Sequence, residues 1–279
     1  MDAGPAYSRE EEGRLGRRPV LGGYRVRLAM MQSYFFPYIG YFQLLASVDR
    51  MILYENLNHI RHGWVHRNRI RLKGRDAVYC SVPLLHASSF VKIRDLLVDR
   101  SQRWPGKFLD LLTFNYRKAR FFEEVYPVIE EAVSREAARL AEVNWNAFTA
   151  VASFLGIAAE IRRDTPPCDE FEAAVARKDA GWFRALGQSL GTDDVRQQRV
   201  LYVCRAEGAD AFHNPIGGLE LYSRDLFGRN GIRLRFLRPR LTPYEQSESA
   251  FIPGLSILDV LMHCGREGTR QQLADYDIV

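Results

Sequence analysis

The chain has 279 residues and carries 39 Lys and Arg against 34 Asp and Glu, for a net charge of +5 at pH 7. Its hydrophobic content of 47% predicts a folded protein and excludes disorder for the chain as a whole. A chain of this length needs neither a disulfide nor a metal to fold. The positive net charge fits a phosphate-bearing ligand, although many ordinary soluble enzymes have a similar net charge.

The cysteines and the apolar residues exclude further classes of protein. Four cysteines are far apart and none belongs to a CxxC pair, which argues against a paired-cysteine zinc site and indicates reduced thiols. No run of about 18 apolar residues is present, so we expect no membrane span and a cytoplasmic location. Residues 1–23 lack periodicity and predict a flexible leader. We expect a single domain over 24–279, within which 103–206 is a candidate helical subdomain.

The first periodic segment predicts a strand, a helix and a second strand. An apolar run over 26–32 is typical of a buried parallel strand. Residues 41–48 suit a short amphipathic helix, and residues 50–54 suit the second strand. Because parallel strands need a crossover, this unit implies a parallel sheet with a right-handed connection.

The rest of the chain predicts an α/β protein. A Gly turn at 73–75 between strands over 67–72 and 76–82 predicts a β-hairpin. Residues 164–170, with paired prolines, predict a loop. The fold class is therefore α/β, with a mainly parallel sheet, a β-hairpin extension and a central group of helices around it. The other expected strands are 92–98, 209–213 and 231–237, and the other expected helices are 104–116, 122–135, 140–155, 172–190, 193–206, 224–229 and 256–263.

The loop after the first strand is a candidate ligand site. Gln32 and the following loop lie at the carboxyl edge of the predicted sheet, where open α/β sheets bind ligands. Tyr34 and Tyr38 offer hydroxyl groups, and the next helix offers free N–H groups to a phosphate. The alternative is that these aromatic side chains belong to the core. The spacing is similar to the HxGH turn of nucleotidyltransferases, with Tyr38 and Tyr41 in place of its histidines.

Residues 59–75 are strongly basic and contain no acid. Because alternate residues of a strand share a face, Arg67, Arg69 and Arg71 are expected to line one side of the hairpin. The planar guanidinium group suits phosphate and carboxylate. Trp64 is placed to stack on a sugar or a base. The alternative is a solvated basic edge that blocks aggregation.

Three histidines, His59, His62 and His66, lie within the same basic segment. Metal binding needs three or more converging ligands, and no acidic partner is close in the sequence. We therefore predict no metal site. His66 or His62 is instead a candidate general base.

Two motifs nearer the C-terminus offer further candidates. Asn214 is placed to orient a ligand, and the turn at Gly217 and Gly218 can expose backbone N–H groups, although an ordinary turn fits equally well. Ser256 is a predicted helix cap, which would place Asp259 in the first helical turn. This structural interpretation is sufficient for Asp259, and a catalytic role is the alternative.

Four segments together resemble the WbqC-like family. The resemblance runs from Gln32 to near the C-terminus. The family usually has Pro, Asp and Asn where this chain has Ser33, Glu55 and His66. The segments that carry the resemblance are Gln32 with YFFPYIGYF at 34–42, GWVHRNRI at 63–70, NPIGG at 214–218 with Leu221 and Tyr222, and LSILDVLM at 255–262.

The resemblance implies a biosynthetic enzyme. The family is found in bacterial O-antigen and related clusters that make N-acylated amino sugars. This setting implies amide formation by acyl or aminoacyl transfer to the amine of a nucleotide-linked sugar or a similar small molecule. The expected partner is an anionic, phosphate-bearing substrate, with nucleic acid only as a tRNA-borne or carrier-borne donor. Nothing signals a metal or a tightly bound cofactor.

These arguments define the candidate site and two rival hypotheses. One rival is nucleotidyl transfer or adenylation through the strand–loop–helix turn. The other is a non-enzymatic module that binds nucleic acid or a partner protein through basic residues. The candidate catalytic residues are His66, His62, Asn68 and Asp259. The candidate substrate-binding residues are Gln32, Tyr34, Tyr38, Trp64, Arg67, Arg69, Asn214, Gly217, Gly218 and Gln246.

Overall fold

The computed structural model describes residues 26–72, 77–246 and 250–279. The predicted leader over 1–23 and the predicted hairpin turn over 73–75 lie outside the described residues. Among the helices of the described ranges, none is both long enough and apolar enough to cross a membrane.

A six-stranded sheet forms the centre of the molecule, with the order β10-β9-β8-β1-β2-β7. Strands β1, β2, β7, β8 and β9 pair in parallel, and β10 runs antiparallel to β9. The predicted α/β class with a mainly parallel sheet is confirmed. The strands of the described residues are β1 (Val26–Met31), β2 (Arg50–Leu53), β3 (Arg67–Arg71), β4 (Ala77–Ser81), β5 (Leu84–Leu85), β6 (Leu97–Val98), β7 (Glu160–Arg163), β8 (Ala209–Pro215), β9 (Arg233–Pro239) and β10 (Tyr276–Ile278).

Helices cover the sheet on two sides, as predicted. The side chain of Leu28 packs into one apolar cluster and that of its neighbour Ala29 into another, because successive residues of β1 point to opposite faces. Both residues are fully buried, which explains the continuous apolar run. The helices are α1 (Ile39–Ala46), α2 (Gly106–Tyr116), α3 (Phe122–Ser134), α4 (Leu140–Phe154), α5 (Pro166–Arg177), α6 (Ala180–Leu190), α7 (Val195–Ala206), α8 (Arg224–Arg229) and α9 (Ile257–Gln272).

The order of the sheet reverses between β1 and β8. The chain passes from β1 to β2 on one side, whereas β8 pairs with β1 on the other. This is a topological switch point, and its carboxyl edge carries Gln32 and Asn214. The parallel β1–α1–β2 unit predicted from the sequence is confirmed.

The predicted β-hairpin is present as β3 and β4, and it is held against the end of β1. The buried side-chain amide of Asn144, on α4, donates to the carbonyls of Ser33 (3.0 Å) and Val65 (2.9 Å). The backbone N–H of Phe35 also donates to the Val65 carbonyl. Because these bonds join α4, the loop after β1 and the segment before β3, they fix the position of the hairpin.

Three of the differences from the sequence prediction lie in the middle of the chain. The strand expected over 92–98 is wrong, since Ile93–Asp95 forms a short 3₁₀ turn and β6 covers two residues. The loop expected over 164–170 is wrong from Pro166 onward, since Pro166 begins α5, a position at which a missing N–H costs nothing. The single helix expected over 172–190 is divided at Lys178, which adopts a left-handed conformation with φ of 52°.

Candidate functional site

A cleft of about 610 Å³ lies between the segment before β3, the strand β4 and the start of α2. We call it the cationic cleft. Its first wall carries His59, Arg61, His62, His66 and Arg67. The opposite wall and the floor are formed by Tyr79, Cys80, Ser81, Val82, Pro83, Leu84, Ala87, Gln102, Trp104, Lys107, Phe108 and Leu111.

The residues that line the cleft include cations but no carboxylate. Arg61, Arg67 and Lys107 line the cleft together with three histidines, and none of the lining residues is Asp or Glu. Within the described part of the chain, none of these three cations forms an ion pair. In contrast, Arg27 and Arg199 pair with Asp49 and Glu172. The cleft is therefore an electropositive pocket without an internal counterion.

Arg67 is held in place by neutral groups. Its Nε donates to the Gly63 carbonyl (3.1 Å) and one terminal nitrogen donates to the His62 carbonyl (2.7 Å). The guanidinium carbon lies 4.4 Å from the centre of the Tyr79 ring. These contacts orient the guanidinium group without neutralising it, so its charge is available to a ligand.

The side chains of the three arginines of β3 lie in different surroundings. Arg67 lines the cationic cleft, whereas neither Arg69 nor Arg71 is among its lining residues. Arg69 lies 5.7 Å from the centre of the Trp64 ring, next to the cleft wall. The side chain of Arg71 is buried and donates to Gln246 (3.1 Å) and to the Ala250 carbonyl (3.0 Å). The β3 strand thus distributes its arginines between the cleft and a buried polar network.

The three histidines of the basic segment, His59, His62 and His66, all line the cleft. His62 is exposed, His66 is half-buried and His59 is buried. Nε2 of His59 lies 3.3 Å from Nδ1 of His66. Burial, together with the nearby charges of His59 and Arg67, lowers the pKa of His66 to about 4. His66 is therefore neutral near neutral pH.

Asn68 points away from the cleft. Its side-chain amide donates to the carbonyls of Phe35 (3.3 Å) and Phe36 (2.8 Å), and its carbonyl oxygen accepts from the N–H of Arg69. Phe36 has a φ of 39°, so this loop is held in a backbone conformation that is rare for a bulky residue. The contacts of Asn68 thus hold the loop after β1.

Trp64 and Tyr79 form an exposed aromatic pair at the cleft. Their ring centres are 5.9 Å apart, and their exposed fractions are 38% and 52%. Only Tyr79 is part of the cleft lining. Arg67 lies over the Tyr79 ring and Arg69 over the Trp64 ring, so the parts of both rings that remain exposed border the cationic wall.

The first sequence motif lies behind the cleft rather than in it. Gln32, Tyr34 and Tyr38 are not among the lining residues. Phe35 is fully buried and packs against two lining residues, Trp104 (5.6 Å between ring centres) and Phe108 (5.2 Å). The loop after β1 therefore supports the cleft from below.

The ring of Tyr38 explains why residue 40 is a glycine. A Cβ on Gly40 would lie 2.5 Å from the Tyr38 ring, so this ring covers the start of α1. Tyr34 lies 5.0 Å from Tyr41 between ring centres, and its hydroxyl lies 3.5 Å from the Gln32 side chain. Burial raises the pKa of both Tyr34 and Tyr38. That Tyr34 and Tyr38 contact a ligand remains a prediction.

The Asn214 motif lies at the switch point, apart from the cleft. Asn214 is 9% exposed, and its amide nitrogen would be 1.8 Å from a Cβ on Gly218. The absence of a side chain at Gly218 thus allows Asn214 to lie directly over the turn. Gly217 is exposed. Neither glycine lines the cationic cleft, and their role in binding stays a prediction.

Asp259 and Gln246 belong to a buried polar network. The Asp259 carboxylate accepts from the hydroxyls of Tyr116 and Tyr244, each at 2.7 Å. The Gln246 amide donates to the Tyr244 hydroxyl (2.9 Å), and its oxygen accepts from Arg71. Asp259 is fully buried in the first turn of α9, and Ser256 caps that helix, as predicted. The catalytic role of Asp259 stays a prediction.

Glu55 is buried just after the end of β2. It is 1% exposed, and one carboxylate oxygen accepts from Nε of Arg163 at 2.7 Å. Burial raises the pKa of Glu55 to about 6, although Arg163 opposes the shift. The N–H of Glu55 donates to Asp164, so this residue joins the ends of β2 and β7.

The sequence missed the wall that α2 contributes. Lys107, Trp104 and Gln102 line the cleft but lie roughly 30 residues after the end of the basic segment. The apolar periodicity over 104–116 predicts a buried helix face and gives no indication of a ligand. In the part of the chain that the structure describes, no group of three or more His, Cys, Asp or Glu is placed to hold a metal ion.

His213, beside Asn214, predicts a pH-dependent stability. It is 6% exposed, and Nδ1 lies 3.1 Å from the hydroxyl of Ser47. Burial, together with the charges of Arg27 and Arg235, lowers the pKa of His213 to about 4. As the pH falls, His213 takes up a proton at a higher pH in the unfolded chain than in the folded one. Acid therefore favours unfolding. The stabilising contribution of neutral His213 is complete above its ordinary pKa of about 6.5 and falls as the pH drops toward about 4.

The measurement is urea unfolding of wild type and His213→Asn between about pH 7 and about pH 4.5. We expect the wild type to lose roughly 2–3 kcal/mol more than the variant over this range. His86→Asn is the matched control, because His86 is exposed and its φ of 48° suits Asn. Parallel pH profiles of wild type and His213→Asn would contradict this prediction.

The sheet, the docked hairpin and the cleft together define an α/β protein with an electropositive pocket beside its main sheet. The chain belongs to the WbqC-like protein family, whose family model matches residues 32–271. It is 26% identical over 244 residues to the uncharacterized protein Rv1507c of Mycobacterium tuberculosis, covering 86% of this chain and 95% of that protein. No solved structure matches the chain. The resemblance stated from the four sequence segments is confirmed.

Proposed function

We propose that this protein is a biosynthetic enzyme that binds a phosphate-bearing small molecule in the cationic cleft. The reaction we propose is amide formation, by acyl or aminoacyl transfer to the amine of a nucleotide-linked sugar or a similar molecule. The observation that carries the proposal is the cleft of about 610 Å³ lined by Arg61, Arg67, Lys107 and three histidines without an acid.

The charges of the cleft favour an anion as the ligand. A cation without a counterion inside a concave site gains more from a bound anion than one already paired on the surface. Arg67 is preorganised by two backbone carbonyls and by Tyr79, so little side-chain entropy is lost on binding. Arg61 and Lys107 approach the same space from different segments, which suits a group with several oxygens such as a diphosphate.

The size and the aromatic rim favour a nucleotide-sized ligand. Pockets for small molecules usually measure about 300–1,000 Å³, so this cleft can hold more than a bare anion. The parts of the Tyr79 and Trp64 rings that Arg67 and Arg69 leave exposed offer contact to a base or a sugar. The pocket chemistry therefore fits a phosphate group carried by a larger ring-containing molecule.

Amide formation is the part of the proposal that comes from the family's biosynthetic setting. The cleft supports it in one respect, since neutral His66 and exposed His62 lie beside the proposed anion site. An amine that attacks an acyl carbon must lose a proton, and an imidazole is a suitable acceptor. Positioning of the two reactants can supply much of the remaining rate enhancement.

The test is calorimetric titration of the full chain with pyrophosphate and with UDP-glucose. We expect replacement of Arg67 and Lys107 together by Ala to weaken binding at least about tenfold, because two charge-assisted contacts are lost. The matched control is Arg184→Ala with Lys118→Ala, which removes the same charge from exposed positions outside the cleft. Equal affinities of wild type and the cleft variant would overturn the assignment.

A further inference from the structure

The cationic cleft also has an apolar side, which a bound phosphate does not use. Four of its lining residues are apolar and half-buried, so part of each remains accessible inside the cleft. We call these residues, Pro83, Leu84, Ala87 and Leu111, the apolar wall. Their side chains offer no hydrogen bond to a ligand, and covering them with apolar groups is favourable. The cleft therefore presents two kinds of binding surface.

The apolar wall lies directly beside one of the cations of the cleft. Residues four positions apart share a face of a helix, so Leu111 lies one turn from Lys107 on the same side of α2. Phe108, between them in the sequence, is 4% exposed and packs against Trp104, with 5.4 Å between ring centres. This packing holds the start of α2 in place. A ligand in the cleft can therefore contact a charge and an apolar surface together.

The two surfaces together fit an acyl donor rather than a sugar acceptor. Sugar hydroxyls need hydrogen-bond partners, and the side chains of the apolar wall provide none. An activated acyl group has the required composition, because it is carried as a thioester or a mixed anhydride of a phosphate-bearing molecule. The phosphates of such a donor suit the cations, and its hydrocarbon chain suits the wall.

The charges of the cleft distinguish an acyl group from an aminoacyl group. An aminoacyl group carries an ammonium group beside its carbonyl carbon, whereas an aliphatic acyl group is neutral. Arg61, Arg67 and Lys107 line the cleft, and none of the described residues that line it is Asp or Glu. An ammonium group would be repelled by three like charges and would meet no carboxylate. The same field favours the uncharged form of the attacking amine.

We propose that the cationic cleft binds the acyl donor, and that this donor is a neutral aliphatic acyl group joined to a phosphate-bearing carrier. The inference rests on the proposed function and selects acyl transfer over aminoacyl transfer. In the reaction the amine nitrogen forms a C–N bond to the acyl carbon, and the C–S or C–O electron pair departs with the sulfur or oxygen of the carrier. The proton of the amine passes to a histidine of the cleft.

The probes are stable analogues of the two kinds of donor. Thioethers of coenzyme A stand for acyl thioesters, and alkyl esters of AMP stand for acyl adenylates. Each is made with a propyl, a hexyl and a 2-aminoethyl group, and its binding to the full chain is measured by calorimetric titration. The series that gains affinity with chain length identifies the carrier.

The propyl and hexyl probes test the apolar wall. A fully buried CH₂ group strengthens binding about fourfold, and the two probes differ by three such groups. We expect the hexyl probe of one series to bind at least about tenfold more tightly than its propyl probe, which requires burial of roughly half of the added chain. If neither hexyl probe bound more tightly than its propyl counterpart, the proposal would be overturned.

The 2-aminoethyl probe tests the selection against aminoacyl groups. It has the length of the propyl probe but ends in an ammonium group in place of the methyl group. We expect it to bind at least about tenfold more weakly than the propyl probe of the same series. Equal or tighter binding would show that the cleft accepts an aminoacyl donor, which contradicts the proposal.

The position of the chain is tested by Leu111→Asn, with Leu109→Asn as the matched control. Both residues are half-buried leucines of α2, but only Leu111 lines the cleft. We expect Leu111→Asn to reduce the gain from propyl to hexyl at least about threefold, and Leu109→Asn to keep it. Leu111→Ala gives the same reading should Leu111→Asn fail to fold. An unchanged gain in the folded Leu111 variant would contradict the assignment of the wall.

Pyrophosphate separates this inference from the proposed function. Pyrophosphate binding without any dependence on the alkyl chain would keep the anion site and overturn the acyl donor. Absence of pyrophosphate binding would contradict the proposed anion site, and the propyl and hexyl probes would still decide whether the cleft takes an alkyl chain.

Discussion

Replacement of Gly265 by Ala is expected to destabilise the fold by roughly 3–5 kcal/mol. Gly265 interrupts α9 with φ of 65° and ψ of −173°, a backbone region that residues with a Cβ rarely adopt. A Cβ on Gly265 would also lie 2.5 Å from Cδ1 of the Phe121 ring. Strain in the backbone and overlap with a packed ring therefore act in the same direction.

Urea unfolding followed by circular dichroism measures this effect. Gly228→Ala is the matched control, because Gly228 is exposed in α8 and a Cβ there would meet nothing within 4 Å. That control should be neutral or slightly stabilising, since alanine favours a helix over glycine by about 1 kcal/mol. A Gly265→Ala protein as stable as wild type would show that α9 can straighten at no cost.

The bend at Gly265 matters because the two ends of α9 are fixed by different elements, the loop after β1 and the helix α1. Its cap Ser256 donates to the Phe36 carbonyl (2.7 Å), next to the loop that supports the cleft. Its far end is fixed by Gln43, whose amide donates to the carbonyls of Gln272 and Asp275, each at 2.9 Å. A straightened helix could not satisfy both ends, so we expect the variant to loosen the hairpin as well.

The sequence predicts the interior of the sheet better than its edges. The strand β1 is apolar on both faces, and its pattern was sufficient to place the βαβ unit. At one edge, β7 has the sequence EIRR, in which Ile161 is the sole apolar residue. Edge strands avoid aggregation by carrying charge, and the same charge removes the apolar pattern used to find them. The strand β10 at the other edge is too short for a pattern.

The cleft shows a similar division between local and tertiary information. The wall from His59 to Arg67 is contiguous, so its basic and acid-free character is visible in the sequence. Lys107 reaches the same space only because α2 packs beside the hairpin. Asn68 was predicted as a site residue, but its side-chain amide donates to two backbone carbonyls of the loop after β1. In the sequence, an asparagine with this structural role cannot be distinguished from one that binds a ligand.

Replacement of Asp259 by Ala is the second large effect that we expect, with a loss of stability of roughly 3–5 kcal/mol. The carboxylate is fully buried, and both of its oxygens accept from tyrosine hydroxyls, Tyr116 and Tyr244. Burial raises the pKa of both hydroxyls and the adjacent carboxylate raises it further, so they remain protonated donors. Alanine would leave two buried donors without an acceptor.

The comparison of variants separates this structural role from the catalytic role considered for Asp259. Asp259→Asn keeps the shape and one carbonyl acceptor, so we expect it to lose about half as much stability as Asp259→Ala. Asp225→Ala removes an exposed carboxylate from the first turn of α8 and should change the stability by at most about 0.5 kcal/mol. Tyr116→Phe with Asp259→Ala should be less than additive, because the pair shares one hydrogen bond. If Asp259→Asn unfolded like wild type but lost all turnover, the carboxylate would belong to the reaction rather than to the core.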